Sequence, residues 1–186
     1  DSGLGPSLVL ALSKKVVTQV DCGDFHSVCL TEDGEVYTWG GGGNFYNHGQ
    51  LGHGNTDDIE GPKLVSGLKN KHVTAISCGG FHTMALTSEN QLYTWGAGFY
   101  GECGIGEFAN VYKPTLVSFK KTKQQYLHGD RIVQISAGGR HSLILSANGY
   151  VFSFGYNAHG QLGLRSTNNE CVPRLIRDLK HKKIRQ

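Results

Sequence analysis

The chain has 186 residues, 38% hydrophobic and 18% charged, with a formal net charge of +3. Such a composition carries enough apolar mass for a packed core, excludes a disordered chain, and is too mildly basic to point to nucleic acid by itself. No apolar run approaches the ~18 residues of a membrane span, and no secretory signal is visible in the sequence, which starts at Asp1 rather than Met. Five cysteines (Cys22, Cys29, Cys78, Cys103 and Cys171), odd in number and without a CxxC pair, argue against a disulfide framework or a zinc site. They fit a reducing compartment, cytoplasm or nucleus. The 27 glycines are spread without low-complexity tracts and predict many turns and short strands.

The phrases can be taken in chain order. Pro6 opens PSLV, which reads as an outer strand, the tail of a unit preceding this one. VTQVDC at 17–22 reads as a strand whose alternate positions, Val20 and Cys22, are buried; HSVCL at 26–30 is apolar or small on both faces. EDGE at 32–35 is a hairpin signal, because Asp-Gly tolerates positive φ, and VYTW at 36–39 is rich in β-branched and aromatic residues. GQLG at 49–52 permits tight bends, and PKLV begins at Pro62.

The same succession then recurs. CGDFHSVCLTEDGEVYTWG at 22–40 and CGGFHTMALTSENQLYTWG at 78–96 are identical at 10 of 19 positions, and AGGRHSLILSANGYVFSFG at 137–155 follows in register. His26, His82 and His141 are 56 and then 59 residues apart, and Trp39, Trp95 and Phe154 keep step with them. The four prolines, Pro6, Pro62, Pro114 and Pro173, all start the fourth phrase, where a residue that cannot donate to a ladder belongs at a strand start or an edge. The fourth strand is therefore outermost. Three units of four antiparallel strands are expected at 17–72, 73–131 and 132–186, with 1–16 as the tail of another. Repeated radially they make β-propeller blades, an all-β fold in a single domain.

The order V-x-x-I-x-C-G-x-x-H-(S/T)-x-x-L-(T/S), G-x-(V/L)-Y-x-W-G, G-Q-L-G and P-x-x-(V/I) resembles the repeat of the regulator of chromosome condensation family. That resemblance implies a propeller of seven blades, so the chain is expected to be about half of a ring within a larger protein, with the remaining blades among its partners. It also brings four functional readings. The leading one is a non-catalytic protein–protein interaction module. A guanine nucleotide exchange factor for a Ran-like small GTPase is the alternative, as the family's namesake implies, with the inserted loops as its wedge. The regulatory propeller of a ubiquitin ligase or kinase is another. An ultraviolet-B photoreceptor needs a tryptophan cluster on one face and is rejected for this portion of the protein, since its two tryptophans, Trp39 and Trp95, both lie in the third strand.

Catalysis from the Cys22–His26 pair is rejected, because Cys22 aligns with Cys78 and then Ala137, which reads as a small core position. One histidine per blade is too dispersed for a single metal shell, so His26, His82 and His141 are expected to bond loop backbone. No Walker loop, nucleophile elbow or carboxylate pair is present, and no cofactor or metal is expected.

Two surface features stand out. The first repeat carries four extra residues between Gly40 and Gly49, placing Phe45, Tyr46 and His48 on an extended loop that either anchors a partner or folds back on its blade. A second insertion, FKKTKQQYLHGD at 119–130, reads as a mobile connection. Ten of the twelve lysines fall in the blade-to-blade connections: Lys14, Lys15, Lys69, Lys71, Lys120, Lys121, Lys123, Lys180, Lys182 and Lys183. They would form a basic arc suited to phosphates or an acidic protein surface. The hairpins on the same side carry Glu32, Asp33, Glu35 and Glu89, and this mixed charge favours a solvated rim.

Overall fold

The computed structural model describes residues 6–119, 130–180, 182 and 184. Three four-stranded antiparallel sheets follow one another along the chain. The first holds β1 (Val17–Cys22), β2 (His26–Thr31), β3 (Val36–Gly40) and β4 (Ile59–Leu64). The second holds β5 (Val73–Cys78), β6 (His82–Thr87), β7 (Leu92–Gly96) and β8 (Val111–Leu116). The third holds β9 (Ile132–Ala137), β10 (His141–Ser146), β11 (Val151–Gly155) and β12 (Glu170–Leu175). Within each sheet the strands lie in chain order, and the first strands β1, β5 and β9 pack against one another. Blades therefore fan from their innermost strands.

Local chemistry sets each blade. The hairpins at 32–35 and 88–91 close on a single residue of positive φ, Gly34 (φ 77) or Asn90 (φ 61), so only the second residue of each Asp-Gly or Glu-Asn pair takes the left-handed form. The proline strand is the outer edge. In the first blade Tyr37 pairs Leu64 and Thr38 pairs Lys63, but Gly40 pairs Ile59, and Pro62 sits in the resulting bulge rather than at the strand start. A bulge on an edge strand is where a missing N–H costs least.

The cores lie between blades. Val28, Leu30, Val36, Ile76, Ala85 and Trp95 join the first blade to the second; Met84, Leu92, Ile135, Ile144, Phe152 and Phe154 join the second to the third. Every residue of β6 is buried, because its sheet is covered on both faces. The first blade departs from expectation here. Val20 is 69% exposed, Cys22 is exposed and Trp39 is only half-buried, whereas their counterparts Ile76, Cys78 and Trp95 are buried. The outward face of the first sheet points away from the other two, and no described residue covers it.

The expected outer strand in 1–16 is also revised. Residues 6–9 are irregular and Leu10–Leu12 is a 3₁₀ turn. Val9 (φ −78, ψ 87) nonetheless repeats the conformation of Val65 (φ −77, ψ 90) and Ile176 (φ −77, ψ 95), which end the proline phrases of the first and third blades. The phrase keeps its local shape but lacks the third strand it would pair with. The expected mobile connection lies mostly outside the described residues, as do Lys120, Lys121, Lys123 and Lys183.

Candidate functional site

Two of the three repeated histidines, His26 and His82, form seams rather than a catalytic centre, while His141, in the last described blade, is only partly buried. His26 Nε2 lies 2.9 Å from Thr83 Oγ1 in the next blade, and Thr83 Oγ1 donates to the carbonyl of Gln50 at 3.0 Å. The hydroxyl has one proton, so it must accept from His26, which fixes the ring as the Nε2–H tautomer. His82 Nε2, Ser142 Oγ and the carbonyl of Glu102 repeat the arrangement at 2.8 and 3.0 Å. The expected bond to loop backbone is thus indirect, relayed by a neighbouring hydroxyl, because the ring sits between two sheets rather than over its own loop. Burial lowers the His26 pKa to about 4 and that of His82 to about 3. Gly79 leaves room for the ring: a Cβ there would lie 2.1 Å from His82 Cε1.

Aromatic residues close the same seams. Trp95 Nε1 donates to the Gln50 carbonyl at 2.8 Å. Gly52 (φ 77) and Gly104 (φ 65) present bare backbone to Trp95 and Phe154, where a Cβ would approach ring atoms to 2.8 and 2.7 Å. The buried thiols of Cys78 and Cys103 have pKa values pushed upward by burial, the reverse of what a nucleophile needs. Among the described residues no cluster of three potential metal ligands occurs.

The two rims differ. One carries the blade-to-blade connections and the hairpins. There Lys15 pairs with Glu35 at 2.6 Å and Asp33 at 3.8 Å, and Lys71 pairs with Glu89 at 3.5 Å. The other rim carries the first-to-second and third-to-fourth strand loops. Its loops hold Asp24, Asp57, Asp58, Glu102 and Glu107 and two arginines, Arg140 and Arg165, of which Arg165 is paired with Asp178 at 2.8 Å; the balance within these loops is acidic on a chain of net charge +3.

This acidic rim is also aromatic. The inserted loop forms one helical turn, Gly43–Tyr46, fastened by Asn47, whose side-chain amide donates to the Asp57 carbonyl and Asp58 carboxylate, each at 3.1 Å. Tyr46 folds back and stacks on Phe25 at 4.9 Å, and the His48 ring meets Phe81 edge-on at 5.4 Å. Phe45 does not fold back and is 86% exposed. In the next blade Phe99 is 62% exposed, and the Arg140 guanidinium lies 5.2 Å from the Tyr100 ring centroid. Between these groups opens a cleft of about 360 Å³, lined by Phe45, Tyr46, His48, Phe81, Tyr100, Glu102 and others. Burial and nearby Arg140 both lower the His48 pKa.

Sequence reasoning singled out Phe45, Tyr46 and His48 but missed the rest of the cleft. Phe25, Phe81 and Arg140 each stand directly before the repeated histidine, and Glu102 breaks the G-Q-L-G phrase as G-E-C-G. Both signals were present as departures within the repeat.

The regulator of chromosome condensation (RCC1) repeat model matches residues 33–86, 89–145 and 148–186. The chain is 37% identical over 178 residues to the E3 ubiquitin-protein ligase HERC2 of Homo sapiens, covering 94% of this chain and 4% of that protein. It is 42% identical over 164 residues to the mitochondrial RCC1 domain-containing protein RUG3 of Arabidopsis thaliana, covering 86% and 35%. Among solved structures it resembles human WBSCR16 with a TM-score of 0.70 at 27% identity, over 86% of this chain and 37% of that one. The chain thus spans well under two thirds of each of these proteins.

Proposed function

The chain belongs to the regulator of chromosome condensation repeat family, and from that premise we propose that it is a non-catalytic protein-binding module whose contact surface is the acidic aromatic rim. The observation that carries this reading is the exposed pair Phe45 and Phe99 flanking a cleft, beside Phe25, Tyr46 and Phe81, whose rings contact one another. Rigid aromatic groups on a fixed scaffold supply contact area at low entropic cost. Free thiols at all five cysteines fit action in a reducing compartment, cytoplasm or nucleus. No helix among the described residues is long and apolar enough to cross a membrane.

Affinity capture by the wild-type chain, by Phe45→Ala/Phe99→Ala and by Lys14→Glu/Lys69→Glu tests the reading. Proteins retained by wild type and by the lysine variant but lost from the phenylalanine variant support it. Loss only from the lysine variant moves the contact surface to the opposite rim, and retention by all three removes the aromatic rim as the contact surface. Similarity to a ubiquitin ligase supports a second reading, in which such a module selects proteins for a catalytic domain elsewhere in a longer chain. The exchange-factor reading is tested by nucleotide release from a purified Ran-like GTPase, where an accelerated rate would replace the non-catalytic assignment.

A further inference from the structure

Three blades offer the same loop position, held by Gln50, Glu102 and Gln161. Gln50 shows what the fold asks of it. Its Oε1 accepts from the His48 amide at 2.6 Å, and its Nε2 donates to the carbonyls of Gly41 and Tyr46 at 2.6 and 2.7 Å. Gln161 Oε1 likewise accepts from the His159 amide at 3.0 Å. Glu102 keeps the accepting half, taking the Tyr100 amide at 2.8 Å. An ionised carboxylate has nothing to donate, yet the carbonyl of Ala97, which matches Gly41, is still satisfied: the Cys103 thiol donates to it at 3.3 Å. Cys103 stands where the other two blades have leucine. Thus the Glu-Cys pair keeps the bond to the loop amide and the bond to this first carbonyl, without the second bond that Gln50 gives to the Tyr46 carbonyl, and brings an acidic group that the fold does not require.

The Glu102 side chain is buried, at 2% exposure, and lines the aromatic cleft, and burial raises its pKa, so a cation brought beside it would favour the charged form. Its hydrogen bonds come from backbone amides, of Tyr100 and of Glu102 itself. Among the described residues no ion pair within contact distance reaches Glu102; Arg140, which lies against the Tyr100 ring in the same cleft, acts on the carboxyl through space and opposes the effect of burial on its pKa. A buried carboxylate without a contacting cation, walled by ring faces, is matched by a ligand that is itself cationic and has an apolar stem. The volume of about 360 Å³ is at the small end for ligand clefts, which begin at roughly 300 Å³, and suits one long side chain rather than a bulky cofactor. An anionic ligand would have only Arg140 to meet, against Glu102 and the other carboxylates of this rim.

We propose that this cleft is a cation-recognition pocket that takes the head group of a lysine or arginine side chain from a partner protein, with Glu102 as counter-ion and the Tyr46, Phe81 and Tyr100 rings as walls. The inference rests on the reading of this rim as the contact surface. Arg140 at the mouth acts as a like charge that restrains affinity and disfavours unmatched cations.

The test is a heteronuclear NMR titration of the isotope-labelled chain, following the Tyr100 and Glu102 amides. Four nonapeptides are used, identical except for a central lysine, arginine, norleucine or glutamate. Lysine or arginine should bind at least about fivefold tighter than norleucine. Glu102→Gln, which installs the side chain of the sister blades, should reduce that preference below about twofold and leave the melting temperature unchanged. Arg140→Ala should tighten the cationic peptides by about twofold or more. Equal binding of norleucine and lysine, a preference that survives Glu102→Gln, tightest binding of the glutamate peptide, or no shift with any peptide would each overturn the proposal. Those failures leave the contact-surface reading intact if Phe45→Ala/Phe99→Ala still loses its captured proteins; loss of that result too would remove both.

Discussion

The two seams of this molecule perform one task with different side chains. Between the first and second blades the Gln50 carbonyl accepts from both Thr83 and the Trp95 indole, at 3.0 and 2.8 Å. Between the second and third the Glu102 carbonyl accepts from Ser142 alone, at 3.0 Å, because Phe154 has no N–H to give. The tolerance teaches that the seam depends on a backbone carbonyl, a histidine and a filled aromatic slot, not on the identity of the side chain at the glutamine position. That position is therefore free to face outward chemistry.

Removing the aromatic plug should have the largest effect. Trp95→Ala and Phe154→Ala each leave a large void beside a glycine and should cost ~3–5 kcal/mol in urea unfolding. Trp39→Ala should cost clearly less, because its indole is half-exposed on the uncovered side of the first blade. Equal losses at Trp39 and Trp95 would contradict the assignment of Trp95 to a seam.

Acid should attack both seams. His26 and His82 are held neutral by burial, and each Nδ1 is buried without a partner, so a proton added there has no acceptor. Their folded pKa values lie below the ordinary 6.5, so the unfolded chain binds these protons first. The stability they protect is full above pH 6.5 and is lost as pH falls, levelling near pH 4 for His26 and near pH 3 for His82. Between pH 6.5 and 4.5 the loss per histidine is on the order of 3 kcal/mol, and unfolding midpoints measured from pH 7.5 to 4.5 should fall accordingly. A flat profile would contradict the assignment of both rings as histidines held neutral by burial.

The smallest change converts one seam into the other. Trp95→Phe removes the second donor to the Gln50 carbonyl and part of the plug, and should cost ~1–2 kcal/mol by the same unfolding measurement. No loss would mean that the indole bond, present at only one seam, is dispensable.

Much of this was legible in the chain because a blade is mostly local. Strand alternation, hairpin signals and the proline edge act over a few residues, so three repeats stated them three times. Other outcomes depended on position in the fan. Val20 and Ile76 share a place in the repeat, yet Val20 is exposed because no described sheet covers it. Lys15 and Lys71 sit in a lysine-rich connection, yet their charges are met by carboxylates of the adjoining hairpins. The repeat could not reveal the aromatic cleft either, since its walls come from Phe81, Tyr46 and Tyr100, which are separated in sequence and joined only across a seam.

By itself the sequence determined the blade: four short strands, an outer proline edge and a repeated histidine follow from side-chain alternation and backbone chemistry that need no distant partner. Tertiary structure alone decided which histidine nitrogen bears the proton, which tryptophan is sealed, and that a glutamate in place of glutamine lines a cleft. Each of those depends on what the neighbouring blade places within a few ångströms, and burial converts that proximity into protonation state and charge.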